Sequence, residues 1–231
     1  MNLLAIFAHP DDELGCAGTL LNHVESGDQV HLMFLTKGEN SSFLGGTAED
    51  RARKRIEHTK KIEDLLGVKV HFMDFPDSRV EVSVNGAYEI AEKIKEIRPH
   101  GIITWNLPER YGSGHPDHRA CSKLVYDAMH YARYRKEDSP YEPWREQMSL
   151  FQYHDPANDP WTHMVYVDVT DKVKTIYKFI EIYQEAYGTW PVKEFKETMM
   201  KTYGRIANVE YAEAFRVILR SFKAPKTLPL T

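Results

Sequence analysis

The sequence has little of what marks secreted, membrane-spanning or nucleic-acid-binding proteins. Only two of its 231 residues are cysteines, Cys16 and Cys121, which is no disulfide framework and suits a reducing cytoplasm. No apolar run approaches the roughly 20 residues that cross a bilayer, and the first residues lack the basic segment of a signal peptide. The net charge of -4 offers no basic surface to nucleic acid. We therefore expect a cytoplasmic protein with no membrane span and no nucleic-acid partner.

The composition is that of a globular domain. Hydrophobic residues make up 42% of the chain and charged residues 28%, which argues against disorder. The length allows one large core, and the sequence contains no internal repeat or low-complexity segment. We therefore predict a single domain over residues 1–231.

Short apolar runs alternate with helical patterns in the first part of the chain. The predicted strands there are LLAIFA, VHLMFLT, VKVHFMDF and GIITWN. This alternation predicts an α/β fold, Rossmann-like, with a mostly parallel sheet and helices on both faces. Farther on, LFQYH and MVYVDVT predict two more strands, and residues 171–187 and Val192 to Leu219 have mostly helical patterns. We expect this part to form an irregular C-terminal α/β extension of the same domain.

Two polar motifs follow two of the predicted strands. HPDDE, residues 9–13, comes directly after the first strand, and HPDH, residues 115–118, lies in the loop after the fourth. In an open parallel sheet, ligands bind beyond the carboxyl ends of the strands, where the strand order reverses. With the order 3-2-1-4, the two motifs face each other across that crevice.

The residue types in these motifs favour a divalent metal. A turn rich in carboxylates repels a pyrophosphate, which needs glycines and free backbone N–H groups. Catalytic Zn²⁺ commonly takes three N/O ligands, and His9 and Asp12 can aim at one point while a histidine of the second motif completes the set. Asp11 is then placed to take a proton from a metal-activated water. The remaining histidine can stabilise an oxyanion, with Asp117 fixing its tautomer and raising its pKa.

Other interpretations remain open at this point. Asp12 has a simpler interpretation as a helix N-cap, and Pro116 as an ordinary first helical residue. Asp11 and Glu13 have the offset of a Mg²⁺-dependent phosphotransferase, although Mg²⁺ prefers oxygen ligands. Two histidines and one carboxylate are also the ligand set of non-haem Fe(II) enzymes. A metal-binding module without catalytic activity is a further alternative.

The chain resembles the PIG-L / LmbE-like family of zinc-dependent N-acetylglucosaminyl deacetylases. AHPDDELGCAGTL is similar to the first signature of that family and GHPDHRA to the second. Shorter family-like segments are LTKGE, GTAEDR, LLGV, FPDSRV and, near the end, VEYAEAFRV. The resemblance implies hydrolysis of the N-acetyl group of an amino-sugar substrate and a homo-oligomeric protein.

The resemblance also assigns roles to the motif residues. It implies that His9, Asp12 and His118 bind Zn²⁺, with Fe²⁺ or another divalent metal as alternatives, and that Asp11 is the general base. It makes His115 the protonated partner that stabilises the oxyanion. It places Asp117 behind His115, and it does not make Glu13 a ligand.

Substrate contacts are predicted from position and from the resemblance. The family often places an arginine near the substrate, and Arg51 is preferred here over Arg53 and Arg55. Four further residues follow predicted strands or precede the second motif and are candidate substrate contacts: Glu39, Asp77, Asn106 and Tyr111. Phe43 and Leu44 are predicted to be exposed in a loop that covers the site.

Overall fold

A computed structural model describes residues 1–106, 114–154, 156 and 161–219. The described strands are β1 (Asn2–Phe7), β2 (Gln29–Phe34), β3 (Lys69–Phe72), β4 (Gly101–Thr104), β5 (Ser149–Tyr153), β6 (Met164–Asp168) and β7 (Ala212–Leu219). The described helices are α1 (Ala17–Glu25), α2 (Ala48–Leu66), α3 (Val84–Ile97), α4 (Pro116–Tyr131), α5 (Val173–Tyr187) and α6 (Val192–Ala207). None of these helices is both long and apolar enough to cross a membrane.

The strands form one mixed sheet in the order β3-β2-β1-β4-β5-β7-β6. The pairs from β3 through β5 are parallel, whereas β7 runs antiparallel to both β5 and β6. The predicted order 3-2-1-4 and the mostly parallel α/β fold are confirmed. The order reverses between β1 and β4, so a ligand crevice is expected beyond the carboxyl ends of these two strands.

Helices cover both faces of the sheet, which explains the continuous apolar run of β1. Successive side chains of a strand point to opposite faces. Leu3 and Phe7 pack with α1, α2 and α5 on one face, and Leu4 and Ile6 pack with α3 and α4 on the other. A strand buried on both faces reads as apolar throughout rather than alternating.

The C-terminal part differs from the sequence prediction. The helical pattern is right for α6 but wrong for β7, which is a strand between β5 and β6. Asn208, with φ 58°, ends α6 in the left-handed conformation typical of a helix terminus. Ala and Glu favour a helix in isolation, but pairing on both edges and burial of Ala214 and Phe215 decide the structure here.

The side chain of Glu213 connects β7 to the start of α1. Its carboxylate accepts hydrogen bonds from the backbone N–H groups of Gly18 (3.1 Å) and Thr19 (2.8 Å). Lys196 of α6 donates to the same carboxylate at 2.7 Å and to the carbonyl of Gly15 at 3.2 Å. Both charged groups are buried. The helix that follows the first motif is therefore fixed by the C-terminal part of the chain.

Candidate metal centre

The two motifs meet beyond β1 and β4 in a cleft of about 770 Å³. The first motif leaves β1 and enters a short 3₁₀ helix, Asp12–Cys16. The second begins with His115, the N-cap of α4, followed by Pro116 at the first helical position. The first motif directly follows β1, the second opens α4, and their side chains line the same cleft.

Three side chains of the motifs converge on one point. His9 Nδ1 lies 3.3 Å from His118 Nε2, His118 Nε2 lies 3.2 Å from Asp12 Oδ1, and Asp12 Oδ2 lies 3.7 Å from His9 Nδ1. Ligands at about 2.0–2.1 Å from a tetrahedral Zn²⁺ are separated by about 3.3 Å. The spacing and the two-imidazole, one-carboxylate donor set therefore fit a divalent metal.

Asp12 is held so that one oxygen remains for a metal. Its Oδ2 accepts hydrogen bonds from the backbone N–H of His9 at 2.9 Å and from Trp105 Nε1 at 2.8 Å. Burial opposes ionisation, but the adjacent His118 holds the pKa of the Asp12 carboxyl well below its usual range. The Trp105 ring also stacks on His118, with centroids 3.9 Å apart. Trp105 thus contacts and orients two of the three converging side chains, a role that its sequence position did not indicate.

The second ring nitrogen of His9 is held by carboxylates. His9 Nε2 lies 3.2 Å from Asp117 Oδ2 and 3.2 Å from Asp77 Oδ1. A metal-bound histidine usually donates its other N–H to such a group, which leaves Nδ1 free for the metal. Burial favours the neutral ring, but the hydrogen bonds to Asp117 and Asp77 raise the pKa of His9 to about 10. Backbone N–H groups in turn hold these carboxylates; the donors are Ser78 and Val80 to Asp117 and Asn40 to Asp77.

His115 lies beside the three converging side chains. Its ring packs edge-on against His9 with centroids 4.7 Å apart, and its Nδ1 accepts the backbone N–H of Asp117 at 3.2 Å. That contact places the imidazole proton on Nε2. The Asp117 carboxylate, predicted to lie behind His115, is 4.0 Å from Nδ1 and contacts His9 instead. Burial and the neighbouring His9 lower the pKa of His115, with Asp117 acting in the opposite direction. His9, His115 and Asp117 also form a second possible ligand group.

Asp11 lines the cleft next to this cluster. Arg55 Nη2 lies 2.9 Å from Asp11 Oδ2 and also donates to the carbonyl of Pro10. Burial raises the pKa of Asp11, while the Arg55 guanidinium acts to lower it. Burial and the nearby Asp11 raise the pKa of Glu13 to about 8. Asp11 thus lines the cleft but is not one of the three converging side chains.

The structure separates the three candidate arginines. Arg51 donates to the backbone carbonyls of Glu39 (2.8 Å) and Gly46 (2.7 Å), so its guanidinium holds the loop before α2. Arg53 is exposed. Arg55 is buried and lines the cleft. A substrate contact at Arg51 stays a prediction, and the described geometry favours Arg55 for a role at the site.

The other predicted substrate contacts differ in their positions. Asp77 lines the cleft, but its carboxylate already contacts His9 and the N–H of Asn40. Glu39 Oε1 accepts a hydrogen bond from the backbone N–H of Asp77 at 2.8 Å and so helps to fix the position of Asp77. Asn106 is buried at the end of β4, and Tyr111 lies outside the described residues.

The cleft wall contains donors and aromatic rings that come from distant parts of the sequence. Arg55 Nε and Nη1 and Tyr187 Oη are buried without a hydrogen-bond partner in the described part of the chain. Phe43 is 58% exposed at the rim, where it lies against Gly188. Leu44 is buried, so the prediction of two exposed residues in that loop is wrong for Leu44.

Comparisons with known proteins add an independent observation. The model of the PIG-L family, described as GlcNAc-PI de-N-acetylase, matches residues 4–129. The diacetylchitobiose deacetylase of Thermococcus kodakarensis is 28% identical over 227 residues, which cover 94% of this chain and 82% of that protein. The 4-oxalmesaconate hydratase of Pseudomonas putida is 21% identical over 216 residues, covering 88% of this chain and 77% of that protein.

A solved structure supports the fold comparison. The N,N'-diacetylchitobiose deacetylase from Pyrococcus horikoshii, in complex with an inhibitor, superposes with a TM-score of 0.84 at 22% sequence identity. The match covers 94% of this chain and 84% of that chain. The similarity therefore extends over the C-terminal part beyond the residues that the family model matches.

Proposed function

The chain belongs to the PIG-L family of GlcNAc-PI de-N-acetylases, and from that premise we propose that it is a zinc-dependent amide hydrolase that removes the N-acetyl group of an N-acetylglucosamine-type sugar or conjugate. The observation that carries the proposal is the convergence of His9, Asp12 and His118 beside the carboxylate of Asp11 in one cleft. Ligands for a metal and a base for proton transfer are the two components that metal-assisted hydrolysis requires.

His9, Asp12 and His118 would hold the metal. Two imidazoles with one carboxylate suit Zn²⁺, and Fe²⁺ accepts the same donor set. When bound, such a metal supplies a water that is acidic near neutral pH and polarises the carbonyl of the substrate. The hydrogen bonds from His9 Nε2 to Asp77 and Asp117 would keep Nδ1 directed to the metal.

Asp11 and His115 have different roles in the proposed reaction: Asp11 transfers a proton and His115 donates a hydrogen bond. Asp11 accepts a proton from the attacking water at its carboxylate as the new C–O bond forms. His115 donates a hydrogen bond from Nε2 to the carbonyl oxygen, on which negative charge develops. When the C–N bond breaks, the nitrogen takes the proton from Asp11 and leaves as the amine, and the acyl group leaves as acetate. Water and amide are thereby converted to acid and amine with no other reactant.

The cleft wall supports a sugar as the substrate. The unpaired donors of Arg55 and Tyr187 match the hydroxyl and carbonyl oxygens of a sugar amide, since an unpartnered buried donor is costly until a ligand or water satisfies it. The aromatic rings at the rim suit the C–H face of a sugar ring or of a group attached to it. The named relative that acts on a diacetylated disaccharide makes such a substrate the first to be tested.

A substrate panel tests the proposed function. The zinc-loaded protein is incubated with free N-acetylglucosamine, diacetylchitobiose and malate- and inositol-linked N-acetylglucosamine, and acetate and free amine are measured together. We expect equal amounts of acetate and amine from at least one of these substrates, and loss of most of this activity in the His118→Ala variant. Product formed equally by the variant and by wild type would refute the metal-dependent reaction.

A hydratase is the second candidate, because one relative bears that name. A hydratase adds water to a carbon–carbon double bond and releases neither acetate nor amine. An unsaturated dicarboxylic acid in the same panel distinguishes the two reactions. A general base at Asp11 fits both reactions and does not distinguish them. Equal release of acetate and amine is specific to the deacetylase.

We also propose that the protein is a cytoplasmic homo-oligomer built from a single domain per chain. Buried, unpaired Cys16 and Cys121 fit a reducing compartment. Tyr134, 60% exposed, and Tyr141, 37% exposed, leave two aromatic rings at the surface that a subunit contact would bury. Analytical ultracentrifugation measures the oligomeric state, and substitution of Tyr134 by Ser should weaken the assembly.

A further inference from the structure

Asp11 has a backbone conformation that its own side chain does not stabilise. Its φ of 106° lies in the left-handed region, which is unfavourable for a residue with a Cβ. The Asp11 side chain makes no capping hydrogen bond to the 3₁₀ helix that it precedes. The backbone N–H of Asp11 instead donates to Glu13 Oε2 at 2.8 Å. The conformation of Asp11 is thus supported by the side chain of Glu13.

Glu13 is itself fixed by a residue from the far end of the chain. Its carboxyl group is fully buried, and Oε1 accepts a hydrogen bond from Tyr183 Oη at 3.0 Å. Tyr183 lies on α5, is also fully buried, and has its Oη 3.0 Å from Thr59 Oγ1 of α2. Both Glu13 oxygens are therefore engaged inside the protein, and neither belongs to the cluster that would bind a metal.

The same tyrosine supports the arginine that contacts the Asp11 carboxylate. The Arg55 guanidinium carbon lies 5.2 Å from the centroid of the Tyr183 ring. Arg55 Nη2 is 2.9 Å from Asp11 Oδ2. Asp11 is thus held at its backbone through Glu13 and at its carboxylate through Arg55, and Tyr183 contacts both of these supports.

We propose that Glu13 and Tyr183 are positioning residues for Asp11: they fix the backbone and carboxylate of the general base without contacting substrate or metal. This inference rests on the role of Asp11 in the proposed function. It also gives a role to Glu13, the carboxylate of the first motif that neither the metal site nor the proton transfer uses. It also explains why the site depends on α5, which is remote in sequence from both motifs.

A double-mutant cycle tests whether Glu13 acts through Asp11. Glu13→Leu removes the acceptor for the Asp11 N–H, and we expect kcat to fall about 100-fold, the effect of a misplacement of roughly 1 Å, with KM changed less than about twofold. In the Asp11→Asn background the same substitution should leave the residual kcat unchanged, because the base is already absent. An equal loss in both backgrounds, or no loss in either, would overturn the proposal. Bound zinc is measured in all four proteins and should stay at the wild-type value.

Conservative variants separate positioning from simple support of the fold. Glu13→Gln keeps a carbonyl acceptor for the Asp11 N–H. Its kcat should therefore lie within about threefold of the wild-type value, a smaller loss than removal of a whole hydrogen bond would cause. Tyr183→Phe should lower kcat roughly tenfold. The matched control is Tyr203→Phe, which removes the hydroxyl of another buried tyrosine that bonds to His154. This control should lower thermal stability and leave kcat unchanged.

Amide hydrogen exchange provides a readout that needs no activity. In ¹⁵N-labelled zinc protein, the Asp11 amide should be protected, and Glu13→Leu should accelerate its exchange at least tenfold relative to the Leu35 amide, which bonds to the carbonyl of Phe7 in the sheet. Unchanged protection at Asp11 would contradict the positioning role. If the wild type releases no acetate from any substrate, the proposed function fails, whereas the exchange result still decides whether Glu13 holds Asp11.

Discussion

Asp12 uses its two carboxylate oxygens for different purposes. Oδ2 accepts hydrogen bonds from the His9 backbone and from Trp105, and Oδ1 faces His118. His9 makes the same division between Nδ1, which faces the cluster, and Nε2, which faces Asp77 and Asp117. Asp12 and His9 therefore each have one polar atom left to face the cluster because the other is occupied.

Substitution of Trp105 tests this division at the level of one hydrogen bond. Trp105→Phe keeps a ring beside His118 but removes the N–H that donates to Asp12 Oδ2. We expect zinc affinity to fall about 10- to 100-fold, as for other residues that orient metal ligands. Competition with a chromogenic chelator measures this affinity.

Trp144 offers a matched control for that substitution. Its Nε1 donates to the carbonyl of Pro99, away from the cleft. Trp144→Phe should leave zinc affinity at the wild-type value. Equal affinities of the two variants would mean that the hydrogen bond from Trp105 does not orient Asp12.

At the scale of the elements, the sequence predicted the part of the fold whose signals are local. The helix α2 has local signals at both ends, since Thr47 forms a capping box with Asp50 and Gly67 ends the helix with positive φ. The strands β1, β2 and β4 were recognisable because both of their faces are buried. The strand β7 was not, since its residues favour a helix and only its pairing with β5 and β6 makes it a strand.

The candidate site likewise contains residues that local motifs reveal and residues that only tertiary packing brings together. The convergence of His9, Asp12 and His118 could be anticipated because two short motifs crowd imidazoles and carboxylates into a few positions. The parts played by Arg55, Tyr187 and Tyr183 could not be predicted. Arg55 and Tyr187 line the cleft and Tyr183 lies buried behind it, and only the packing of α5 against α2 brings the three together. Glu213 is intermediate: the YAEAF segment was noticed, but its role depends on Lys196 and the start of α1.

The link between β7 and α1 predicts a large effect on stability. Glu213→Ala leaves the buried Lys196 ammonium unpaired and removes the acceptor for the N–H groups of Gly18 and Thr19. Breaking a buried ion pair from one side costs about 3–5 kcal/mol in the free energy of unfolding. Urea denaturation measures this change.

Glu197→Ala, which breaks the exposed pair with Lys201, is the control and should leave the denaturation midpoint unchanged. Equal midpoints for both variants would contradict the role of Glu213.

At the scale of the whole molecule, the proposed metal site joins distant parts of the chain. His9 and Asp12 follow β1, whereas His118 belongs to α4 on the other side of the sheet reversal. A ligand that binds only the folded state stabilises it by about 2.7 kcal/mol at a free concentration of 100 Kd. For a chain of this length we expect zinc to raise Tm by about 5–10 °C.

Differential scanning calorimetry of the chelator-treated protein, with and without zinc, checks this expectation. His118→Ala should show little of the increase because one ligand is missing. An increase of the same size in His118→Ala would show that zinc acts elsewhere on the protein. A single cooperative transition would also agree with the predicted single domain over residues 1–231.

The most direct test of the central claim is the rate of acetate release by zinc-loaded Asp11→Asn compared with zinc-loaded wild type. Asparagine has nearly the shape of aspartate but cannot accept the proton of the attacking water. If Asp11 is the general base of a metal-dependent deacetylase, the variant should bind about one zinc per chain, as expected for one three-ligand site, and lose 10²- to 10⁴-fold in kcat. Acetate release by the variant at the wild-type rate would contradict this mechanism.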